Sequence, residues 1–253
     1  MKLAIAGAGG RMGRALIEAV LADRGLVLAG AFDVPGSPAV GQEVGNIRIG
    51  SDPKAAAAAD VLIDFTRPEG TLENLRHASA MVIGTTGFSQ AQKKAIEEAA
   101  KRLPIVMAAN FAVGVNAAYK LAETAARILG DDYDVEIVEA HHAAKKDAPS
   151  GTALWLAQEA AKARDWPWPG SARTGRTGAT GPRPAQEIGI SSIRAGVVTG
   201  EHRVWLGGAG EHLELVHVAE SRDCFASGAL EAIAFIAGAS PGRYTMEDVT
   251  GST

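Results

Sequence analysis

The stretch LAIAGAGGRMGRALIEAVL, Leu3–Leu21, decides the fold. Leu3–Ala6 reads as a short buried strand. Arg11–Leu21 reads as a helix with Met12, Leu16, Ala19 and Val20 on one side. Between them lies Gly7-Ala8-Gly9-Gly10-Arg11-Met12-Gly13. A strand that turns through glycines into a helix is what a dinucleotide requires. Glycines let the backbone approach a pyrophosphate, and the helix N-terminus supplies N–H groups and a positive dipole end. The glycines at 7, 10 and 13 make a slightly longer turn than the six-residue fingerprint. The loop lacks the Gly-Lys-Ser/Thr ending of a P-loop. Leu26–Phe32 reads as the second strand, and Asp33 closes it where a carboxylate takes the adenosine ribose hydroxyls. Asp33 would repel a 2′-phosphate, and Val34 supplies no cation to clamp one. Arg11 is the cation that remains nearby. NADH is therefore expected as the preferred cofactor, with NADPH tolerated.

The alternation continues outward from this unit. Asp60–Phe65, Met81–Thr85 and Ile105–Ala108 read as strands. Pro68–Ala78 and Ser89–Arg102 read as helices, with Ser89 as an N-cap. Short strands alternating with helices predict a parallel sheet covered on both faces. Gly84-Thr85-Thr86-Gly87 and Ala108-Ala109-Asn110-Phe111 each follow a strand, where ligands of a doubly wound sheet sit. The pattern changes near Gly114. Val115–Leu129 reads as an Ala-rich helix, and Tyr133–Glu139 as a half-buried strand with Glu136 and Glu139 set against Val135 and Ile137. The segment from Pro167 to Pro184 reads as a loop. Ile188–Val198, His202–Leu206 and His212–Val218 read as neighbouring strands joined by tight turns, which predicts a mixed or antiparallel sheet and a second domain. Ala226–Ala237 reads as a final helix.

Composition sets the outer limits. The chain has 253 residues, 47% of them hydrophobic and 21% charged. Those values fit one or two globular domains and exclude a disordered or collagenous chain. The formal charge of −4 disfavours non-specific nucleic-acid binding. The single cysteine, Cys224, leaves no internal disulfide, which suits a reducing cytoplasm. No apolar run approaches the ~20 residues of a membrane span, and the start of the chain does not read as a signal peptide.

The densest chemistry is EAHHAAKKDAPSGT, Glu139–Thr152, between a strand and a helix. Pro149 and Ser150 mark the helix entry, and N–H groups near Gly151 and Thr152 suit a carboxylate. The adjacent His141 and His142 suggest a metal, but no further ligands follow at a metal-site spacing, so no metal is expected. Acid–base work suits histidine near neutral pH. Lys145 and Lys146 offer a cation for an anionic substrate, or a proton donor.

Taken together, GAGGRMGR (Gly7–Arg14), IGTTGF (Ile83–Phe88), AANFAVGVN (Ala108–Asn116), EAHHAAKKDAPSGTAL (Glu139–Leu154), SIRAGVVTGEH (Ser192–His202) and LELVHVAESRDCFASGAL (Leu213–Leu230) resemble the 4-hydroxy-tetrahydrodipicolinate reductase family nearly end to end. The resemblance implies a Rossmann-type doubly wound domain, residues 1–112, to which residues 220–253 return. It also implies an α+β substrate and tetramerisation domain with an open mixed sheet, residues 113–219. It implies His141 as general acid/base and Lys145 as second proton donor. His142, Gly151 and Thr152 would bind substrate. Gly7, Ala8, Gly9, Gly10, Arg11, Met12, Asp33, Gly84, Thr85, Thr86, Ala108, Ala109, Asn110 and Phe111 would contact the cofactor, while Gly13 serves close packing. The implied reaction reduces a cyclic unsaturated imine dicarboxylate to tetrahydrodipicolinate in diaminopimelate and lysine biosynthesis, in a cytoplasmic homotetramer.

Two features depart from the family pattern. Val34 stands where many relatives carry arginine, and Pro35–Gly50 is short; both bear on cofactor preference. Arg194, Gly200 and His202 match a family segment without an evident chemical role. A two-domain dehydrogenase such as an aspartate dehydrogenase would share the glycine loop but give no reason for the His/Lys segment. A nucleotide sensor would leave that segment idle.

Overall fold

The computed structural model describes residues 1–251. The chain opens with β1 (Lys2–Ala6), α1 (Arg11–Ala22) and β2 (Val27–Phe32), then a small hairpin of β3 (Glu43–Val44) and β4 (Ile47–Arg48). There follow β5 (Val61–Asp64), α2 (Pro68–Asn74), β6 (Met81–Ile83), α3 (Gln90–Ala100) and β7 (Pro104–Met107). Next come α4 (Val113–Leu129), β8 (Asp134–His141), α5 (Gly151–Ala163), β9 (Ala172–Thr174), β10 (Ile188–Arg194), β11 (Gly200–Gly207) and β12 (His212–Ala219). The chain closes with α6 (Asp223–Ile236), β13 (Gly242–Tyr244) and α7 (Met246–Thr250). Two compact units result, Met1–Val113 together with the segment from Arg222 onward, and Gly114–Ser221.

The first unit is a parallel six-stranded sheet in the order β13-β7-β6-β5-β1-β2. Its inner strands are buried on both faces because alternate side chains enter two cores. Leu3 and Ile5 of β1 join Leu16, Ile17 and Val20 of α1 and Ala229, Ala232 and Ile233 of α6. Ala4 and Ala6 point the other way, among Leu62, Met81, Ile83, Ile96 and Ile105. Ser89 caps α3 as expected, in a reciprocal box with Gln92. After β2 the chain crosses to the far side of β1 to form β5. The strand order therefore reverses beside β1, and the carboxyl end of β1 is the ligand position of such a sheet.

The second unit carries a mixed sheet in the order β12-β11-β8-β10-β9. The expected adjacency of the later strands is corrected here. β10 and β11 are not partners: β8 lies between them, parallel to β10 and antiparallel to β11. The expected strand Ile188–Val198 ends at Arg194, and the expected loop from Pro167 to Pro184 contains β9. Helix α5 lies against β8, β10 and β11 and buries Ala153, Leu156, Ala157, Ala160 and Ala161. β13 and α7 lie beyond the last expected helix.

Gly13 shows how tightly the first turn is built. A Cβ there would stand 2.1 Å from the Gly7 carbonyl oxygen and 2.8 Å from Ala8 Cα. Both obstacles are backbone, so neither moves cheaply. Gly13→Ala is expected to lower stability by roughly 1–3 kcal/mol through overpacking and to weaken nucleotide binding. Urea unfolding checks the first effect, and an unchanged midpoint would refute the account.

Candidate active site

In the first unit the glycine turn sits at the carboxyl end of β1. Gly7 has φ +77°, open to glycine at little cost, and its N–H donates to the Phe32 carbonyl at 2.9 Å. A Cβ on Gly9 would come within 2.5 Å of Asp33 Oδ2. Without it, the Gly9 N–H donates to that oxygen at 2.9 Å. Gly10 is the N-cap of α1, Arg11 is its exposed first residue, and Met12 follows. Asp33 also accepts from Val34 N at 2.7 Å and Ser37 Oγ at 3.2 Å, so its carboxylate is fixed in place. A cavity of about 520 Å³ opens here, lined by Gly7, Gly10, Asp33, Val34, Phe65 and Arg67 among others. A glycine cradle, a helix N-terminus and a pinned carboxylate on one cavity fit a dinucleotide.

The other expected cofactor residues lie on neighbouring loops of the same unit. Gly84 has no room for a side chain, since a Cβ would stand 2.1 Å from the Phe65 ring. Thr85 is buried, and its hydroxyl donates to Asp64 Oδ1 at 3.0 Å and accepts from Thr66 N at 2.9 Å. The Phe111 ring is also buried, 5.6 Å from the Phe65 ring. The side chains of Thr85 and Phe111 are thus committed inside the protein. Thr86, Ala108, Ala109 and Asn110 flank them, with Ala108 N bonded to the Ile83 carbonyl and Asn110 Oδ1 accepting from Ala112 N.

Sequence reasoning missed Asp64. It ends β5, fully buried, and accepts from Thr66 N, Thr66 Oγ, Thr71 Oγ, Thr85 Oγ and Asn74 Nδ2. It ties the loops after β5 and β6 together. The available signal was a carboxylate inside an otherwise apolar run, because a buried charge must find donors.

In the second unit, strand register builds the site. His217, His202, Glu139 and Ser192 form one cross-strand row over β12, β11, β8 and β10. His141 pairs with Arg194 at the end of β8. The expectation that Glu139 shares the exposed face of Glu136 is corrected. Its parity is that of Val135 and Ile137, and it is 0% exposed. The Glu139 carboxylate receives Arg194 in a bidentate pair, Nη1 to Oε2 at 2.8 Å and Nη2 to Oε1 at 2.7 Å. It also accepts from Ser150 N at 3.1 Å and lies 2.5 Å from His141 Nδ1. Burial pushes the Glu139 carboxyl up, but hydrogen bonds from Arg194, Ser192 and His141 overcome this and hold it at about 2. His141 moves below its ordinary range, through burial and the nearby Lys145 and Arg194 cations, against the pull of Glu139.

Lys145 lies in the loop that follows, its ammonium 2.9 Å from Asp147 Oδ1. His142 sits just past the strand, partly exposed, and its carbonyl accepts from Lys145 N. Ser150 caps α5 by accepting from Ala153 N, and Gly151 and Thr152 lie in the turn before the first intrahelical bond, Leu154 N to Ser150 O. The turn at Ser150 is therefore held at two atoms, by Glu139 on its N–H and by His202 Nε2 at 3.1 Å from its Oγ. Among the described residues, no group of histidine, cysteine and acidic side chains could hold a metal ion.

Two family models match the chain. Dihydrodipicolinate reductase, N-terminus, covers residues 1–111, and dihydrodipicolinate reductase, C-terminus, covers residues 114–250. The chain belongs to the dihydrodipicolinate reductase family. A relative named 4-hydroxy-tetrahydrodipicolinate reductase from Aromatoleum aromaticum is 54% identical, over 99% of this chain and 95% of its own. Another of that name, from Cupriavidus metallidurans, is 51% identical over 99% of each. The solved dipicolinate-bound dihydrodipicolinate reductase from Paenisporosarcina sp. TG-14 superposes with a TM-score of 0.79 at 26% identity, covering 98% of both chains. An aspartate dehydrogenase from Thermotoga maritima superposes with a TM-score of 0.50 at 10% identity, which shows the shared fold alone. The family makes this chain an oxidoreductase with a pyridine-nucleotide-binding fold.

His202 links this site to stability. Burial and the neighbouring His141 and His217 hold its imidazole down to about 3. An unfolded chain takes up that proton near pH 6.5, whereas the folded chain does not until near 3. The stabilisation is therefore full above 6.5 and is lost as pH falls toward 3. His141 and His217 shift in the same direction. Stability is expected to fall on the order of 2–3 kcal/mol between pH 7 and 4, and His202→Gln should flatten that slope in urea titrations. An identical slope in the variant would remove His202 from the account.

Proposed function

We propose that the protein reduces a cyclic unsaturated imine dicarboxylate to tetrahydrodipicolinate, as a 4-hydroxy-tetrahydrodipicolinate reductase of diaminopimelate and lysine biosynthesis. The observation that carries this reading is the grouping of His141 and the Lys145 loop with the first turn of α5. A planar dicarboxylate needs cationic and N–H donors at both ends. Lys145 Nζ and the first-turn groups of Gly151 and Thr152 supply them, with the helix dipole adding to the field. His142, beside Lys145, contacts the same substrate. When bound, the reduced nicotinamide supplies the hydride. Ala8, Gly9, Arg11 and Met12 would join Gly7, Gly10 and Asp33 in holding that cofactor, and Gly84–Thr86 and Ala108–Phe111 would contact it.

The proton that His141 transfers is the second one, at Nε2, because Nδ1 donates to Glu139. In the free protein burial favours the neutral ring. Arrival of a substrate with two negative charges reverses that balance and charges the imidazole. Lys145 is the second donor. The protonated form disappears as pH rises through the His141 pKa. The falling limb of kcat/KM should therefore lie below the ordinary 6.5 and that of kcat above it, since the two report free and bound enzyme. Coincident limbs would oppose this assignment.

Asp33 accepts the ribose hydroxyls and repels a 2′-phosphate, so NADH is preferred and NADPH tolerated. Trp205, Val216, Val218 and Ile193 are exposed on the outer face of the mixed sheet. A homotetramer would cover that face. No helix among the described residues is long and apolar enough to cross a membrane, and a cytoplasmic location suits the single cysteine.

The test is a coupled assay in which pyruvate and aspartate semialdehyde are condensed by the preceding synthase. Loss of nicotinamide absorbance should require both proteins and proceed with higher kcat/KM for NADH than NADPH. His141→Ala and Lys145→Ala should each lower turnover by about 10²–10⁴ with cofactor binding retained. No turnover from a folded, cofactor-binding protein would refute the activity, and wild-type turnover in both variants would remove the assigned roles.

A further inference from the structure

The Arg194 guanidinium bonds neither proposed proton donor directly, yet it holds the partners of both. Its two Nη atoms bond the two oxygens of Glu139, the Ile193 carbonyl at 2.7 Å and the Asp147 carbonyl at 2.7 Å. The first two bonds hold the carboxylate that meets His141 Nδ1. The last holds the backbone of the loop whose Asp147 side chain meets Lys145 Nζ. We propose that Glu139 and Arg194 form a positioning pair for the proton-transfer step, Glu139 setting the tautomer and direction of the His141 ring and Arg194 locking both Glu139 and the Lys145 loop. This rests on the assignment of His141 and Lys145 as the proton donors.

The geometry accounts for each part. An ionised carboxylate has no proton to give, so His141 Nδ1 must carry the hydrogen between them. Nε2 is then the atom that takes and releases the second proton. That proton leaves Nε2 for the substrate and returns the ring to its neutral form, while Glu139 stays ionised throughout. Gly200 faces that side of the ring, and a Cβ there would crowd Nε2 at 3.1 Å. A planar guanidinium matches a carboxylate with two parallel bonds, which lysine cannot reproduce. The charged and titratable groups around His141 are Glu139 on β8, Arg194 on β10, Lys145 and Asp147 in the loop, and His202 on β11 with its ring 5.3 Å away. His217 stands beyond His202. Glu139 is the anion in contact with the ring, and it favours the charged imidazole against the cations.

Glu139→Gln keeps the shape and removes the charge. The variant should lose about tenfold or more in kcat, with nucleotide binding unchanged by fluorescence titration. Its falling pH limb should move to lower pH, because the anion that supports protonation is gone. A loss of kcat at unchanged pH dependence would make Glu139 merely structural and overturn the proposal. In the His141→Ala background the same change should cost nothing further, and a full additional loss would place Glu139 outside the His141 pathway. Arg194→Lys should lower kcat and move the limb in the same direction, and a wild-type profile would remove Arg194.

The wild-type protein gives a readout that no folding defect can obscure. Long-range ¹H–¹⁵N spectra of the histidine rings should show the neutral His141 protonated at Nδ1. Protonation at Nε2 would overturn the pairing. Wild-type turnover in His141→Ala would instead sink the proton-donor assignment, while the tautomer reading stood or fell on the spectra.

Discussion

The second unit depends on one buried charge. Glu139 lies where three strands meet, under the first turn of α5, and is removed from solvent. Leaving a carboxylate there without partners would cost several kcal/mol. Arg194, Ser150 N and His141 remove that penalty from three directions. Each of those partners begins or ends a segment that bears chemistry. The same bonds that make the charge tolerable therefore fix His141 and the entry to α5, and through Arg194 they fix the loop between. A network of this kind has few alternative arrangements, because any slip leaves a buried group unsatisfied.

The first unit solves a similar problem with different chemistry. Asp64 ends β5 as Glu139 stands near the end of β8, and both gather loops beyond a strand terminus. Asp64 is met by neutral donors, the hydroxyls of Thr66, Thr71 and Thr85 and the amide of Asn74. Those donors come from α2 and from the loops after β5 and β6. The carboxylate thus braces Thr66 and Asn74, which line the cavity, while glycine spacing shapes the turn after β1. At Gly7, Gly9 and Gly13 the missing side chain is the structural feature, since backbone or a carboxylate stands where it would be.

Much of this was legible locally. The glycine turn, the Ser89 cap and the α5 entry are decided by residues within a few positions of each other. The burial of Glu139 was not, because its parity competed with its charge, and charge suggested solvent. Its main partner, Arg194, lies 55 residues away on a different strand. The insertion of β8 between β10 and β11 is likewise non-local, since the turn after β10 is short enough to suggest a hairpin. β13 escaped notice for another reason. Three residues, Gly-Arg-Tyr, carry no usable period, and the strand forms by pairing with β7.

The two carboxylates also explain why unassigned polar residues cluster where they do. A sheet buried by a helix has apolar rows along most of its length, as Val135, Ile137, Val204 and Leu206 show. Polarity then enters at the row formed by His217, His202, Glu139 and Ser192, across four strands at once. A whole polar row, with a neutral histidine holding the Ser150 hydroxyl while Glu139 holds its N–H, keeps the helix entry in a fixed place. The position of the α5 N-terminus is therefore set by side chains below it as well as by its own cap. That is the physical condition for its first-turn N–H groups to act as the preorganised carboxylate site proposed for them.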